Sequence, residues 1–126
     1  MDQPAGLAVE RSHATYRVEG DMRFEDAIEL ASRAVAWCRE QRIERLLMDG
    51  RGVTGFGPQD EPGRFRLAEE LARAARASVK VVILVRPEFL NEDRFAITVA
   101  RNRGLFVNVF AAEKEAVAWL LDPNAA

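Results

Sequence analysis

Cysteine, histidine, lysine and tyrosine are all scarce in this chain, and each scarcity narrows the range of possible functions. The single cysteine, Cys38, excludes an internal disulfide framework and any multi-cysteine metal site. The single histidine, His13, has no second imidazole with which to build a metal centre or a base relay. An excess of one charge is missing too. The 18 Lys and Arg against 20 Asp and Glu leave a net charge of −2, so no overall field draws in nucleic acid or an anionic membrane. Nearly all the basic side chains are arginine. Long apolar runs are absent: the longest aliphatic stretch, residues 81–85, falls far short of the roughly 20 residues of a membrane span. Met1-Asp2-Gln3-Pro4 has neither the basic start nor the apolar run of a secretion signal. The expectation is a cytoplasmic protein without a transmembrane segment.

What remains is ordinary globular material. The chain has 126 residues, 48% of them hydrophobic, which suits one domain closing one core. Residues 7–10 and 14–18 read as a hairpin around Arg11, Ser12 and His13. Asp21 stands where it can cap a helix whose apolar positions, Phe24, Ala27, Ile28, Ala31, Ala34, Val35 and Cys38, recur at helical spacing to about residue 41. Leu46, Leu47 and Met48 form a short strand ended by Asp49-Gly50. A long glycine-rich loop over residues 50–61 then leads to a helix with Pro62 in its first turn and Phe65, Ala68, Leu71, Ala72 and Ala75 on its apolar face. Residues 79–85 read as a central strand, nearly continuous and β-branched. Asn91 caps a helix stopped by Gly104, residues 105–110 form the last strand, and residues 113–121 form a closing helix halted by Pro123. The order β-β-α-β-α-β-α-β-α implies an α/β domain over residues 7–122, with a mostly parallel sheet, one initial hairpin, and flexible ends at 1–6 and 123–126.

Several features imitate a chemical site. Gly50-Arg51-Gly52-Val53-Thr54-Gly55 satisfies the G-x-G-x-x-G pattern after a strand. A dinucleotide loop, however, needs its last glycine in the opening turn of a helix, and Phe56-Gly57-Pro58 intervenes here. Asp60 and Glu61 place carboxylates where pyrophosphate would sit, and Ala74 and Ala75 stand where a ribose-binding acid belongs. The carboxylate pairs Asp60-Glu61, Glu69-Glu70 and Glu92-Asp93 fit helix entrances and solvated faces. Cys38 falls on an apolar helix face, where cysteine acts as a small hydrophobe. Trp37 and Trp119 lie at the margins of apolar stripes, as core edges or interface anchors.

The element order and the phrase Asp49-Gly50-Arg51-Gly52-Val53-Thr54 resemble the STAS fold of anti-sigma-factor antagonists and sulfate-transporter tails, nearest to its stand-alone bacterial SpoIIAA-like (STAS/SEC14-like) branch. Leu67-Ala68-Glu69-Glu70, Arg86-Pro87-Glu88-Phe89, Asp93-Arg94-Phe95-Ala96 and Asn102-Arg103-Gly104-Leu105 are similar to that branch as well. In antagonist members a phosphorylatable serine follows the strand-ending aspartate by about nine residues. Pro58 holds that place here, so the usual phospho-switch is absent, and Thr54 is the nearest alternative acceptor.

The resemblance implies a non-enzymatic regulatory module that binds a partner protein, without cofactor or metal, and a homodimer is compatible with it. The loop leaving the third strand lies where open α/β sheets place ligands, so Asp49, Arg51, Thr54 and Phe56 are the candidate interaction residues. The alternative is a binder of a small amphipathic ligand or lipid, as in Sec14 domains. That reading needs a sizeable apolar cavity, whereas the alanine content predicts tightly packed helices. An enzyme acting through Asp49 or Arg51 ranks third.

Overall fold

The computed structural model describes residues 1–91 and 94–125. Five strands form one sheet in chain order: β1 (Leu7–Val9), β2 (Ala14–Asp21), β3 (Arg45–Thr54), β4 (Lys80–Leu84) and β5 (Val107–Phe110). β1 and β2 form the antiparallel hairpin, and every later pairing is parallel. The connecting helices are α1 (Phe24–Glu40), α2 (Glu61–Ala75) and α3 (Phe95–Asn102), and α4 (Glu113–Leu121) closes the chain. The expected α/β architecture is therefore observed, and α4 has the expected bounds.

Because β2 to β5 advance across the sheet in one direction, right-handed crossovers place α1, α2 and α3 on one face. These helices pack side by side, while α4 packs alone on the opposite face against β3, β4 and β5. Strand alternation feeds both layers. Leu46, Met48 and Val81 join Ala34, Val35, Leu71, Ala75 and Leu105 in the larger core, and Leu47, Val82 and Leu84 meet Ala116 and Leu120 beneath α4. Lys80 fixes α4 at its far end, donating from Nζ to the carbonyls of Trp119 (3.0 Å) and Asp122 (2.9 Å) above the Trp119 ring. Trp37 is buried in the larger core and Trp119 is half-buried against Phe110.

Three local expectations need correction. β3 does not stop at Met48. It continues to Thr54 because β2 also runs on to Asp21, and the two strands stay paired past an irregularity between Arg17 and Glu19. The presumed loop over residues 50–61 thus shrinks to a connection of residues 55–60. Asp21 does not cap α1: it ends β2, and its carboxylate accepts a hydrogen bond from Thr54 Oγ1 (3.2 Å), while Arg23 takes the cap position without a side-chain bond. Asn91 does not start α3, which begins at Phe95 after a short 3-10 turn at Pro87–Phe89. Glu92 and Asp93 lie outside the described residues.

The entrance to α2 follows the sequence reading. Asp60 is the N-cap, its Oδ1 accepting from the Gly63 N–H at 2.9 Å, and Pro62 lies in the first turn. Gly55, at φ +107°, turns the chain out of β3 so closely over Met22 that a Cβ would strike the Met22 carbonyl.

Candidate functional site

The four sequence candidates separate onto different surfaces. Asp49 and Arg51 point to the α4 side of the sheet, in step with Leu47 beneath that helix. The Asp49 carboxylate is buried and accepts three bonds from Arg51: the backbone N–H (3.1 Å), Nε (3.0 Å) and Nη2 (2.9 Å). Arg51 Nη2 also reaches Glu113 at the start of α4 (3.2 Å), and Arg17 Nε approaches Asp49 from β2 at 3.5 Å. The side-chain bond from Arg51 holds the Asp49 carboxyl below its ordinary pKa, outweighing the upward pull of burial. This arrangement is a brace between strand and helix, with its acid already saturated by donors. Thr54 lies at the exposed end of β3, bonded to Asp21.

Phe56 faces the other way. Its ring packs edge-on against Phe24 of α1 (5.3 Å between centroids) and Phe89 of the 3-10 turn (6.2 Å). The three half-buried rings stand at one wall of a cavity of about 860 Å³ between the sheet and the α1–α3 layer. Its floor is the carboxyl-terminal half of the parallel strands: Val18 from β2, Met48, Gly50 and Val53 from β3, Ile83 and Val85 at the end of β4, and Val109 from β5. Ala27, Ile28 and Ala31 of α1, Leu67 of α2 and Ala96 and Ile97 of α3 form the roof.

The void has a clear origin in side-chain size. At the amino-terminal half of the sheet, Ala34, Ala72, Ala75 and Ala100 let the helices approach closely, and the layer closes completely. At the carboxyl half the same residue type sits over the smallest possible floor, Gly50, with nothing large to fill the gap. Ile83 shows the result: it belongs to an interior strand and follows the fully buried Val81 and Val82, yet it is only half-buried. The expectation that alanine would pack these helices shut holds at one end of the sheet and fails at the other.

The exposed Pro58, Leu90 and Arg94 lie at its opening. Among the described residues, polar groups are few on its walls: Gln59 before α2 and Arg64 within its first turns, Asn91 and Arg94 before α3, and Glu115 of α4. Arg86 secures the wall near Phe89, its Nη1 donating to the carbonyls of Arg51 (3.0 Å) and Val53 (2.6 Å) while its guanidinium lies over the Phe89 ring.

No family model and no curated protein matches this chain. Cys38 is fully buried, and burial pushes its thiol pKa up to about 12, which leaves no thiolate for chemistry. His13 is bonded through Nδ1 to the Ser12 hydroxyl in the hairpin turn (3.0 Å) and takes no part in the cavity. Among the described residues, no group of three or more His, Cys, Asp or Glu side chains could hold a metal ion. No described helix is long and apolar enough to cross a membrane. The Gly-x-Gly-x-x-Gly segment lies in β3 and the turn after it, and the α2 N-terminus beyond already has its own capping carboxylate.

Of the proposed loop residues, then, only Phe56 lines the cavity. Phe24, Ala27, Ala31, Arg64, Phe89 and Arg94 join it there without having been singled out for this role. The available signal was the pair Ala27 and Ala31, one helical turn apart on the apolar face of α1, facing a strand that carries Gly50.

Proposed function

We propose that this protein is a small-molecule binder that encloses the apolar part of an amphipathic ligand in the cavity beneath α1, α2 and α3. The incompletely buried Ile83 of the interior strand β4 supports this reading, because a side chain between the fully buried Val82 and Leu84 stays partly uncovered where the helix layer leaves room for a ligand. The volume of about 860 Å³ lies within the range of roughly 300–1,000 Å³ usual for ligand pockets. Apolar walls with a few polar groups at the opening match the same pattern. Burying about ten methylenes would contribute about 8 kcal/mol before the cost of association, enough for useful affinity without any covalent chemistry. This reading agrees with the Sec14-like side of the resemblance and places no demand on the missing phosphorylatable serine.

A partner protein docking on the rim is the second reading. Leu90, 46% exposed, and the exposed Pro58 line the same cavity and favour it, so that ligand occupancy would regulate that contact. Native mass spectrometry of the protein purified without detergent tests the first reading. A bound amphipath is expected on the wild type and lost in Gly50→Phe, whose ring would enter the cavity. Bare polypeptide in both, with no uptake of added dodecanoate or dodecanol, would count against it.

A further inference from the structure

Resting on the ligand reading above, we propose that the ligand's head is a carboxylate bound by Arg64 and Arg94 at the cavity mouth. Among the described residues, three charged side chains line the cavity, two of them guanidinium groups and the third Glu115. Most other arginines near this end of the molecule are engaged with acids: Arg51 with Asp49 and Glu113, Arg86 with Glu88, and Arg66 with Glu25. Arg64 and Arg94 differ. Arg64 Nη1 donates to the Gln59 carbonyl (2.7 Å) and Arg94 Nη2 to the Asn108 side-chain oxygen (2.5 Å), both neutral acceptors. Neither has an ion pair among the described residues. Each bond orients its guanidinium while using only part of the five-donor fork, so both arginines retain donors for a planar, bidentate acceptor.

Position and charge reinforce this assignment. Arg64 stands in the first turns of α2 and Arg94 immediately precedes α3, whereas Glu115 lies on α4, a different wall near Ala111 and Ala112. An anionic head is therefore drawn to the α2–α3 side and its chain directed over the apolar floor toward Ile83. The entrance to α2 also limits how much negative charge fits. Asp60 already accepts the Gly63 N–H there and Glu61 follows, so a dianionic phosphate meets repulsion that a monoanionic carboxylate feels less.

Isothermal titration calorimetry with dodecanoate, dodecanol and dodecyl phosphate tests the assignment on the wild type, Arg64→Gln and Arg94→Gln. Dodecanoate is expected to bind at least about tenfold tighter than dodecanol. Each arginine variant is expected to weaken dodecanoate about tenfold while leaving dodecanol within about twofold, which also shows that the cavity remains folded. Equal binding of acid and alcohol, unaffected by either variant, overturns the carboxylate assignment and leaves the apolar cavity reading standing. Tighter binding of dodecyl phosphate than dodecanoate overturns it in favour of a dianionic head. Failure of all three compounds to bind the wild type overturns both the head assignment and the cavity reading.

Discussion

Gly50 illustrates how one missing side chain shapes the molecule. It sits within β3 at a backbone conformation open to any residue, and a Cβ there would meet only the Leu84 carbonyl, at an ordinary 3.7 Å. Gly50→Phe should therefore fold, and loss of a strand glycine favours the native state by about 0.5–1 kcal/mol. Its thermal midpoint is expected to equal or exceed that of the wild type while ligand affinity drops. The neighbouring Asp49 behaves oppositely. Its pKa is depressed chiefly by the Arg51 side-chain bond, so the stability it contributes is complete above its ordinary value near 3.9 and is lost as pH falls through the lower folded value. Asp49→Asn is expected to cost about 1–2 kcal/mol in urea unfolding at pH 7, a gap that closes as pH falls toward 3 and below. Cys38, with a thiol raised to about 12 by burial, should resist a thiol-reactive dye at pH 8 in the native state and label promptly in urea. Rapid native labelling would mean that α1 opens from the sheet.

Among the elements, the bodies of helices and strands were more legible than their ends. The closing helix was readable because apolar spacing, acidic first-turn residues and a following proline all agree on its limits. β3 was not, because Gly50, Arg51 and Gly52 have poor strand propensity and the pairing with β2 that extends the strand is a tertiary choice. Asp21 likewise had two local roles open to it, and the partner strand selected the one in which it accepts from Thr54. Arg86 secures the end of β3 from outside, so Arg86→Ala is expected to cost about 1–2 kcal/mol and to raise amide exchange at residues 53–56. The end of α2 carries strain instead: Arg76 and Ala77 adopt φ of +47° and +60° without being glycine, as Arg42 does at +61° just after α1. Arg76→Gly should raise stability by about 0.5–1 kcal/mol in thermal unfolding, since glycine enters the left-handed region at no steric cost.

At the scale of the whole molecule, one sheet serves two purposes. Its amino-terminal half is sealed by small and large residues in complementary positions, and its α4 face is braced by Asp49, Arg51 and Glu113. Its carboxyl half is left open over Gly50 and Ile83. Sequence periodicity identified which faces of the helices turn inward, and so a sheet with helices packed on it was readable, whereas the placement of α4 alone on the second face was not. It could not reveal depth, because Ala31 over a cavity and Ala34 in a closed core are the same residue on the same helix. The site residues contributed by different elements share no local motif, and only the fold brings Phe24, Phe56 and Phe89 together. Methyl NMR during titration with dodecanol, which has no charge for the arginines to read, addresses the cavity most directly. Saturable shifts are expected at Ile28, Ile83, Val85, Ile97 and Val109, with Leu47, Val82 and Leu120 beneath α4 unchanged. Shifts confined to the α4 side, or none at any methyl, would contradict the account.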